Sequence, residues 1–361
     1  MSATPRCEII AEAGVNHDGS LDAALQLIDV AADAGADVVK FQTFVASNLI
    51  AKGTRKADYQ TRNTGESDSQ LEMVRRLELP FAAFHTLAAH CDKRGIAFLS
   101  TPFDFESLAF LTGELGLTTL KIASGEVTNL PFLVACGRQA RRVILSTGMC
   151  RLGEIELALA ALAYGALGET YRPTEASLAN LLGTPAAQAF IREKVSILHC
   201  TTEYPSPPAS VQLQSMATLR AAFGVPVGLS DHSEGIHIPV AAVAMGATIL
   251  EKHFTLDRTL PGPDHKASLS PDELRAMVRA VRDVEAALGT GRKLPDAVET
   301  SNREIARKVV VAARSLKAGE LLAESDLALK RAGRGLEPIH WWRLVGTAVT
   351  RDYRADEPLE G

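Results

Sequence analysis

Cys7-Glu8-Ile9-Ile10-Ala11-Glu12-Ala13-Gly14 and Asp37-Val38-Val39-Lys40-Phe41-Gln42-Thr43-Phe44 frame the segment that decides the fold. Each is a short apolar, β-branched run that ends in small or polar residues, as a strand does. Between them Leu21, Leu25 and Ile28 recur at helical spacing after Ser20, a suitable N-cap. The unit is strand, helix, strand, and it repeats. Ala97 to Asp104, Thr118 to Glu126, Arg142 to Met149, Val195 to Pro205, Pro226 to Ser233 and Thr248 to Asp257 complete a set of eight runs. Helical stretches separate them, for example Phe81, Phe84, Leu87 and Ala88 ahead of Gly95. Near-continuous hydrophobicity fits parallel strands covered on both faces. Eight alternating units predict an α/β chain of the (β/α)8 TIM-barrel type. An open doubly wound sheet is the rival, but no G-x-G-x-x-G follows the first strand and eight units suit closure.

A helix from Pro271 to Leu288 completes the last unit, with Ser270 as N-cap and Asp272 and Glu273 in its first turn. The barrel is therefore expected over residues 1–290 and a polar, partly helical linker over 291–306. From Arg307 the pattern changes to short strands and turns (Val309-Val310-Val311, Gly319-Glu320, Leu327-Ala328-Leu329, Gly333, Gly335), which predicts a small β-rich domain over 307–361. Trp341 and Trp342 are expected to pack inside it.

The chain of 361 residues has 46% hydrophobic and 22% charged residues and a net charge of −5, an ordinary globular balance that is poor for holding a polyanion. Ten basic against eight acidic residues from Ile305 onward give the tail +2 and leave the barrel at −7. There is no run of 18 apolar residues and no signal-peptide pattern. Five scattered cysteines without a C-x-x-C pair fit a reducing compartment, so cytoplasmic localisation is expected, with neither a membrane nor nucleic acid as partner.

In a barrel of this kind chemistry sits at the carboxyl ends of the strands. Read in order, those ends carry Glu12; Lys40 and Gln42; Thr101 and Asp104; Lys121, Ser124 and Glu126; Ser146 and Thr147; Thr201 to Tyr204; Ser230, Asp231 and His232; Lys252 and His253. So many polar groups in a barrel need a ligand, because an unpaired buried polar group costs about 1–3 kcal/mol. Lys40 and Lys121, with the hydroxyls of Thr101, Ser124, Ser146 and Ser230, suit a phosphate and an adjacent carboxylate. Alternatively Lys40 pairs with an acid such as Asp37, or one lysine forms a Schiff base as in barrel aldolases. His232 and His253 close neighbouring strands, and two imidazoles with the remaining positions left to substrate oxygens suit a labile divalent ion such as Mn2+. A catalytically silent scaffold or a polymer-binding tail is the non-enzymatic reading.

Nine motifs resemble the sialic acid synthase family, in family order. They are Ile10 to Ser20, Lys40 to Phe44, Thr101 to Asp104, Lys121 to Glu126, Leu145 to Met149, His199 to Pro205, Gly228 to His232, Glu251 to Thr255 and Gly262 to His265. The tail is similar to the antifreeze-like SAF domain at the C-terminus of those enzymes. The resemblance implies condensation of phosphoenolpyruvate with an N-acetylated mannose-type sugar, with release of phosphate. It assigns Lys40, Thr101, Lys121, Ser124, Ser146 and Ser230 to phosphoenolpyruvate. His232 and His253 would take the divalent metal (Mn2+, with Mg2+ or Co2+ as alternatives). Glu12, Gln42, Tyr204 and Asp264 would contact the acceptor, with Glu12 and Glu126 as candidate proton-transfer groups. It also implies a domain-swapped homodimer in which Arg331 reaches the partner's sugar acetyl group. Ala332 stands where proline is common. Thr202, where the sialic acid synthases carry asparagine, and the run Leu260 to Leu269 resemble the legionaminic acid branch. That branch favours 2,4-diacetamido-2,4,6-trideoxymannose over N-acetylmannosamine as acceptor.

Overall fold

The computed structural model describes residues 6–65 and 68–360. Eight parallel strands are present: β1 (Glu8–Gly14), β2 (Val38–Thr43), β3 (Ala97–Pro102), β4 (Thr119–Ile122), β5 (Arg142–Ser146), β6 (Val195–Cys200), β7 (Val227–Asp231) and β8 (Ile249–His253). Hydrogen-bonded neighbours run β3-β2-β1-β8-β7-β6-β5-β4. β3 and β4 pack against each other across the remaining seam, so the sheet curls into a barrel.

One principal helix follows each strand: α1 (Leu21–Ala34), α2 (Phe81–Arg94), α3 (Phe105–Ala109), α4 (Leu130–Gln139), α5 (Leu152–Ala166), α6 (Ser215–Phe223), α7 (His237–Ala244) and α8 (Pro271–Leu288). Sequence signals account for their ends. Ser20 caps α1 by accepting from Ala23 N–H, and Gly35 closes it in the left-handed conformation (φ +79°). Ser270 and Glu273 form a capping box at the start of α8. Three short helices, Ala46–Leu49, Asp58–Thr64 and Gln70–Leu77, are inserted between β2 and α2.

The two-residue period of the strands layers the barrel interior. Glu8 and Arg142 pair across its amino-terminal end at 3.1 Å. Two residues further along, Ile10, Val38, Leu99, Ile144, Leu198 and Ile249 close into one buried apolar cluster. Another two residues on, the same faces present Glu12, Lys40, Thr101, Ser146, Cys200 and Glu251, all buried. The apolar layer is thus a plug, and the charged layer above it is the floor of the mouth.

The chain divides after Thr290 into a second compact unit, Gly291–Gly361. Here the stretch Thr300–Ala306 is helical, and β9 (Val309–Ala312) pairs antiparallel with β10 (Leu327–Lys330). Val310, Ala312, Leu316, Leu322, Leu327, Val349, Tyr353 and Leu359 form its core. Trp341 packs against that core, whereas Trp342 is 75% exposed, so only the first of the tryptophan pair does what its sequence suggested.

Candidate active site

The strand ends surround a cavity of about 270 Å³. Lys40 Nζ lies 2.5 Å from Glu12 and 3.7 Å from Glu251, and donates to Thr101 Oγ1 at 3.2 Å. Lys121 Nζ is 3.4 Å from Glu251, whose Oε1 accepts from Ser230 Oγ at 2.9 Å. Two ammonium groups and two carboxylates are therefore interleaved on the floor. Each would be costly alone; alternation of sign offsets the desolvation. Lys40 does not pair with Asp37, which lies toward the other end of the barrel, held by Arg282 at 2.6 Å.

This lattice splits the two carboxylates. Burial pushes Glu12 up to about 7, with Lys40 pulling against it and Glu251 adding to the rise. Burial would raise Glu251 as well, but Lys121, Lys40 and the Ser230 hydroxyl outweigh it and hold the group at about 2. Glu251 is thus the permanent anion and Glu12 the group able to exchange a proton near neutrality.

His232 and His253 lie at the rim, ring centroids 5.4 Å apart. Nδ1 of His232 donates to the Thr201 carbonyl at 2.7 Å, so Nε2 is the ring nitrogen turned to the cavity, with Ser230 Oγ at 3.5 Å from it. Nδ1 of His253 is buried with no hydrogen-bond partner among the described residues. Burial, reinforced by His232 and Lys40, holds His253 well below the usual histidine range, so it is a neutral imidazole. Both rings suit a divalent ion. Among the described residues no group of three or more His, Cys, Asp or Glu side chains is arranged for a metal. An ion here would thus take two nitrogens from the chain and the rest from substrate and water.

Tyr204 tilts over His232 at 4.1 Å and meets His253 edge-on at 5.6 Å. Gln42 donates to Glu12 at 3.4 Å. Asp264 joins from the loop after β8, raised to about 6 by burial against the pull of His232 and His265. Two residues fix that loop: Asn16 Nδ2 donates to Ser268 Oγ at 2.9 Å, and Ser268 Oγ to the Asp264 carbonyl at 2.7 Å. Ser124 accepts from Gly148 N–H at 2.9 Å, while the buried Ser146 Oγ has no partner among the described residues.

The structure brings Glu12, Lys40, Gln42, Thr101, Lys121, Ser124, Ser146, Tyr204, Ser230, His232, His253 and Asp264 to one cavity. Others stand elsewhere. Glu126 accepts from Asn129 Nδ2 at 2.7 Å and is not among the cavity-lining residues. Asp104 caps α3 through Ser107 and holds Val45 N–H at 2.9 Å. Asp231 and Lys252 face outward as a buried ion pair at 2.5 Å, tied to Ser233. Thr147 donates to the Leu198 carbonyl. Arg331 is exposed in the second unit, just after β10. Sequence reasoning left Glu251, Cys200 and Tyr59 without a role, yet all three line the cavity. For Glu251 the signal was present: it lies two residues before the inward-facing His253.

An anion-holding floor, a pair of neighbouring imidazoles and a proton-exchanging carboxyl at a barrel's carboxyl end define a site for a small anionic substrate. Comparison with known proteins gives the family. The model described as the NeuB family matches residues 27–293, and that of the SAF domain matches 307–361. The chain belongs to the NeuB family. It is 46% identical over 349 residues to an N,N'-diacetyllegionaminic acid synthase of Campylobacter jejuni subsp. jejuni, covering 97% of each chain. It is 40% identical over 353 residues to one of Legionella pneumophila subsp. pneumophila, covering 98% of this chain and 93% of that one. The solved structure of an N-acetylneuraminic acid (sialic acid) synthetase from Leptospira borgpetersenii serovar Hardjo-bovis, in complex with citrate, is similar as well. It matches with a TM-score of 0.65 at 35% identity, covering 83% of this chain and 90% of that one.

Proposed function

We propose that the chain is a nonulosonic acid synthase that condenses phosphoenolpyruvate with 2,4-diacetamido-2,4,6-trideoxymannose, giving N,N'-diacetyllegionaminate and releasing phosphate. The observation that carries this reading is the interleaved floor, where Lys40 and Lys121 sit buried among four hydroxyls, of which Ser146 Oγ has no partner among the described residues. Thr101, Ser124, Ser146 and Ser230 surround them, so a compact substrate with a phosphate and a carboxylate finds both cations and donors. The two relatives of highest identity named above support the choice of acceptor.

A divalent ion on His232 and His253, Mn2+ or alternatively Mg2+ or Co2+, would supply Lewis-acid polarisation of the acceptor's aldehyde. The chain's own groups do the remaining work. Lys40 and Lys121 hold the anionic ends so that C3 of phosphoenolpyruvate faces the aldehyde carbon, and such alignment is worth about 7–11 kcal/mol. Attack forms the carbon–carbon bond and leaves C2 electron-poor. Water adds at C2, and the tetrahedral carbon expels phosphate by C–O cleavage. Glu12 is placed to take or return the proton that moves in these steps. Gln42, Tyr204 and Asp264 face the acceptor's hydroxyls.

Phosphate release scored over the diacetamido acceptor and N-acetylmannosamine tests the assignment. Stoichiometric phosphate with the first supports it; greater turnover with N-acetylmannosamine would make the chain an N-acetylneuraminate synthase instead. Borohydride trapping is expected to leave Lys40 and Lys121 unmodified, and a pyruvyl adduct on either would move the reading to a Schiff-base aldolase.

Glu12 adds a pH dependence. Its pKa is raised to about 7, so below that pH it is neutral and Lys40 keeps only the longer pairing with Glu251, at 3.7 Å, against a ligand. Above it, the ionised carboxylate competes for Lys40. Phosphoenolpyruvate binding is expected to weaken as pH rises from 6 to 8, and Glu12→Gln to flatten that dependence; titration calorimetry at each pH reads both. For Arg331 and the homodimer the proposal keeps what the matching motif implies. Arg331→Ala is expected to raise the acceptor KM far more than that of phosphoenolpyruvate, and equal effects would refute an acetamido contact.

A further inference from the structure

The cavity has two walls of opposite chemistry. Strand ends furnish the charged floor. The insertion between β2 and α2 furnishes a mainly apolar side, with Leu49 and Ile50 at the end of Ala46–Leu49 and Met73, Val74 and Leu77 from Gln70–Leu77, edged by Tyr59, Gln60 and Gln70. Val15, Phe44 and Leu77 form a small cluster of their own here, with Leu49, Val74 and Phe103 packed against it. Met73 is buried, but Leu49, Ile50 and Val74 are covered only in part.

This wall is held in place. Glu78 accepts from Ala46 N–H at 2.8 Å, and Ser69 and Glu72 cap Gln70–Leu77 with a capping box, which turns Glu72 outward and Met73 and Leu77 inward. Asn63 donates to the Pro263 carbonyl at 2.6 Å, beside Asp264, and Tyr59 lies 5.0 Å from Tyr204. The insertion is therefore tied across the mouth to the loops that carry the acceptor-facing Tyr204 and Asp264.

We infer that this apolar wall is the acceptor-selecting element, and that Met73 and Val74 with their neighbours receive the C6 methyl and an acetamido methyl of a deoxygenated, doubly N-acetylated aldose. The inference rests on the synthase reading above. A hydroxyl set against Val74, Ile50 and Leu49 meets only carbon on those side chains, whereas a methyl there leaves water; the amides that the insertion adds to the lining, Gln60 and Gln70, are bonded to each other. One such group in an apolar pocket is worth about 10- to 200-fold in kcat/KM. The lysines of the floor, by contrast, treat every acceptor alike, since they hold the other substrate.

Phosphate release by the full-length enzyme tests the wall from both sides. On the ligand side, replacing the acceptor's C6 methyl by hydroxymethyl is expected to lower kcat/KM at least tenfold; an unchanged value overturns the inference. On the protein side, Val74→Thr and Met73→Gln nearly preserve shape while adding polarity. Each is expected to cut the preference for the diacetamido acceptor over N-acetylmannosamine at least fivefold through the acceptor KM. The KM for phosphoenolpyruvate is expected to stay within twofold. An unchanged preference in a variant that melts normally overturns the inference, and the ligand-side arm decides alone if neither variant folds. Wild-type enzyme that releases no phosphate with any acceptor overturns the synthase reading first, and this inference with it.

Discussion

Glu251→Ala is expected to destabilise the barrel by about 3–5 kcal/mol, the cost of leaving buried charges without their partner. Among the described residues Glu251 is the one carboxylate ion-paired with both Lys40 (3.7 Å) and Lys121 (3.4 Å), and its side chain is buried. Without it two ammonium groups share a buried floor with Glu12 alone, whose ionised form is favoured by the loss of Glu251's neighbouring charge but which cannot face both of them as closely. Chemical denaturation reads the loss. A second signature separates this cause from a simple cavity: an added dianion, phosphate or phosphoenolpyruvate, should raise the Tm of the variant more than that of the wild type. The pH dependence has a definite sign. Because Glu251 is held at about 2 against an ordinary 4.5, its contribution is present above about 4.5 and is lost as pH falls toward 2. Glu251→Gln should flatten stability across that window. A variant as stable as wild type, with no extra response to phosphate, would show that the floor is not balanced as described.

His253→Ala and His232→Ala are expected to lower metal-dependent phosphate release by about a thousandfold or more. Lewis-acid help is worth several kcal/mol, and each 1.36 kcal/mol is about tenfold in rate. Phosphoenolpyruvate should still raise the Tm of both variants, because its lysines are untouched. Mn2+ added to metal-depleted wild type should restore turnover; added to either variant it should not. Undiminished activity of both variants after metal removal would rule out the role given to the imidazoles.

Much of this was legible in the residues. The eight strand runs, the caps Ser20 and Ser270 and the helix Pro271–Leu288 all follow from local chemistry that tertiary packing leaves unopposed. Twelve of the residues singled out converge on one cavity because a parallel barrel gathers strand ends whatever their separation along the chain. Failures came where a strand stops or a residue alternates. β4 ends at Ile122, and Ser124–Glu126 winds into a single 3-10 turn, which carries Glu126 round to Asn129. Asp231 and Lys252 are one residue out of phase with Ser230 and Glu251, so the pleat sends them to the opposite face, where they satisfy each other. The insertion from Ala46 to Leu77 was the least readable part. Its middle is polar and aperiodic, and helices as short as Ala46–Leu49 and Asp58–Thr64 form only when packed.

The central claim is that phosphoenolpyruvate lies on the Lys40–Lys121 floor and loses phosphate by cleavage at carbon. A heavy-oxygen label in the bridge between C2 and phosphorus tests it most directly, with mass spectrometry of both products after turnover with the diacetamido acceptor. The account predicts that the label leaves entirely with the phosphate. Label retained in the keto acid would mean cleavage at phosphorus and would contradict it.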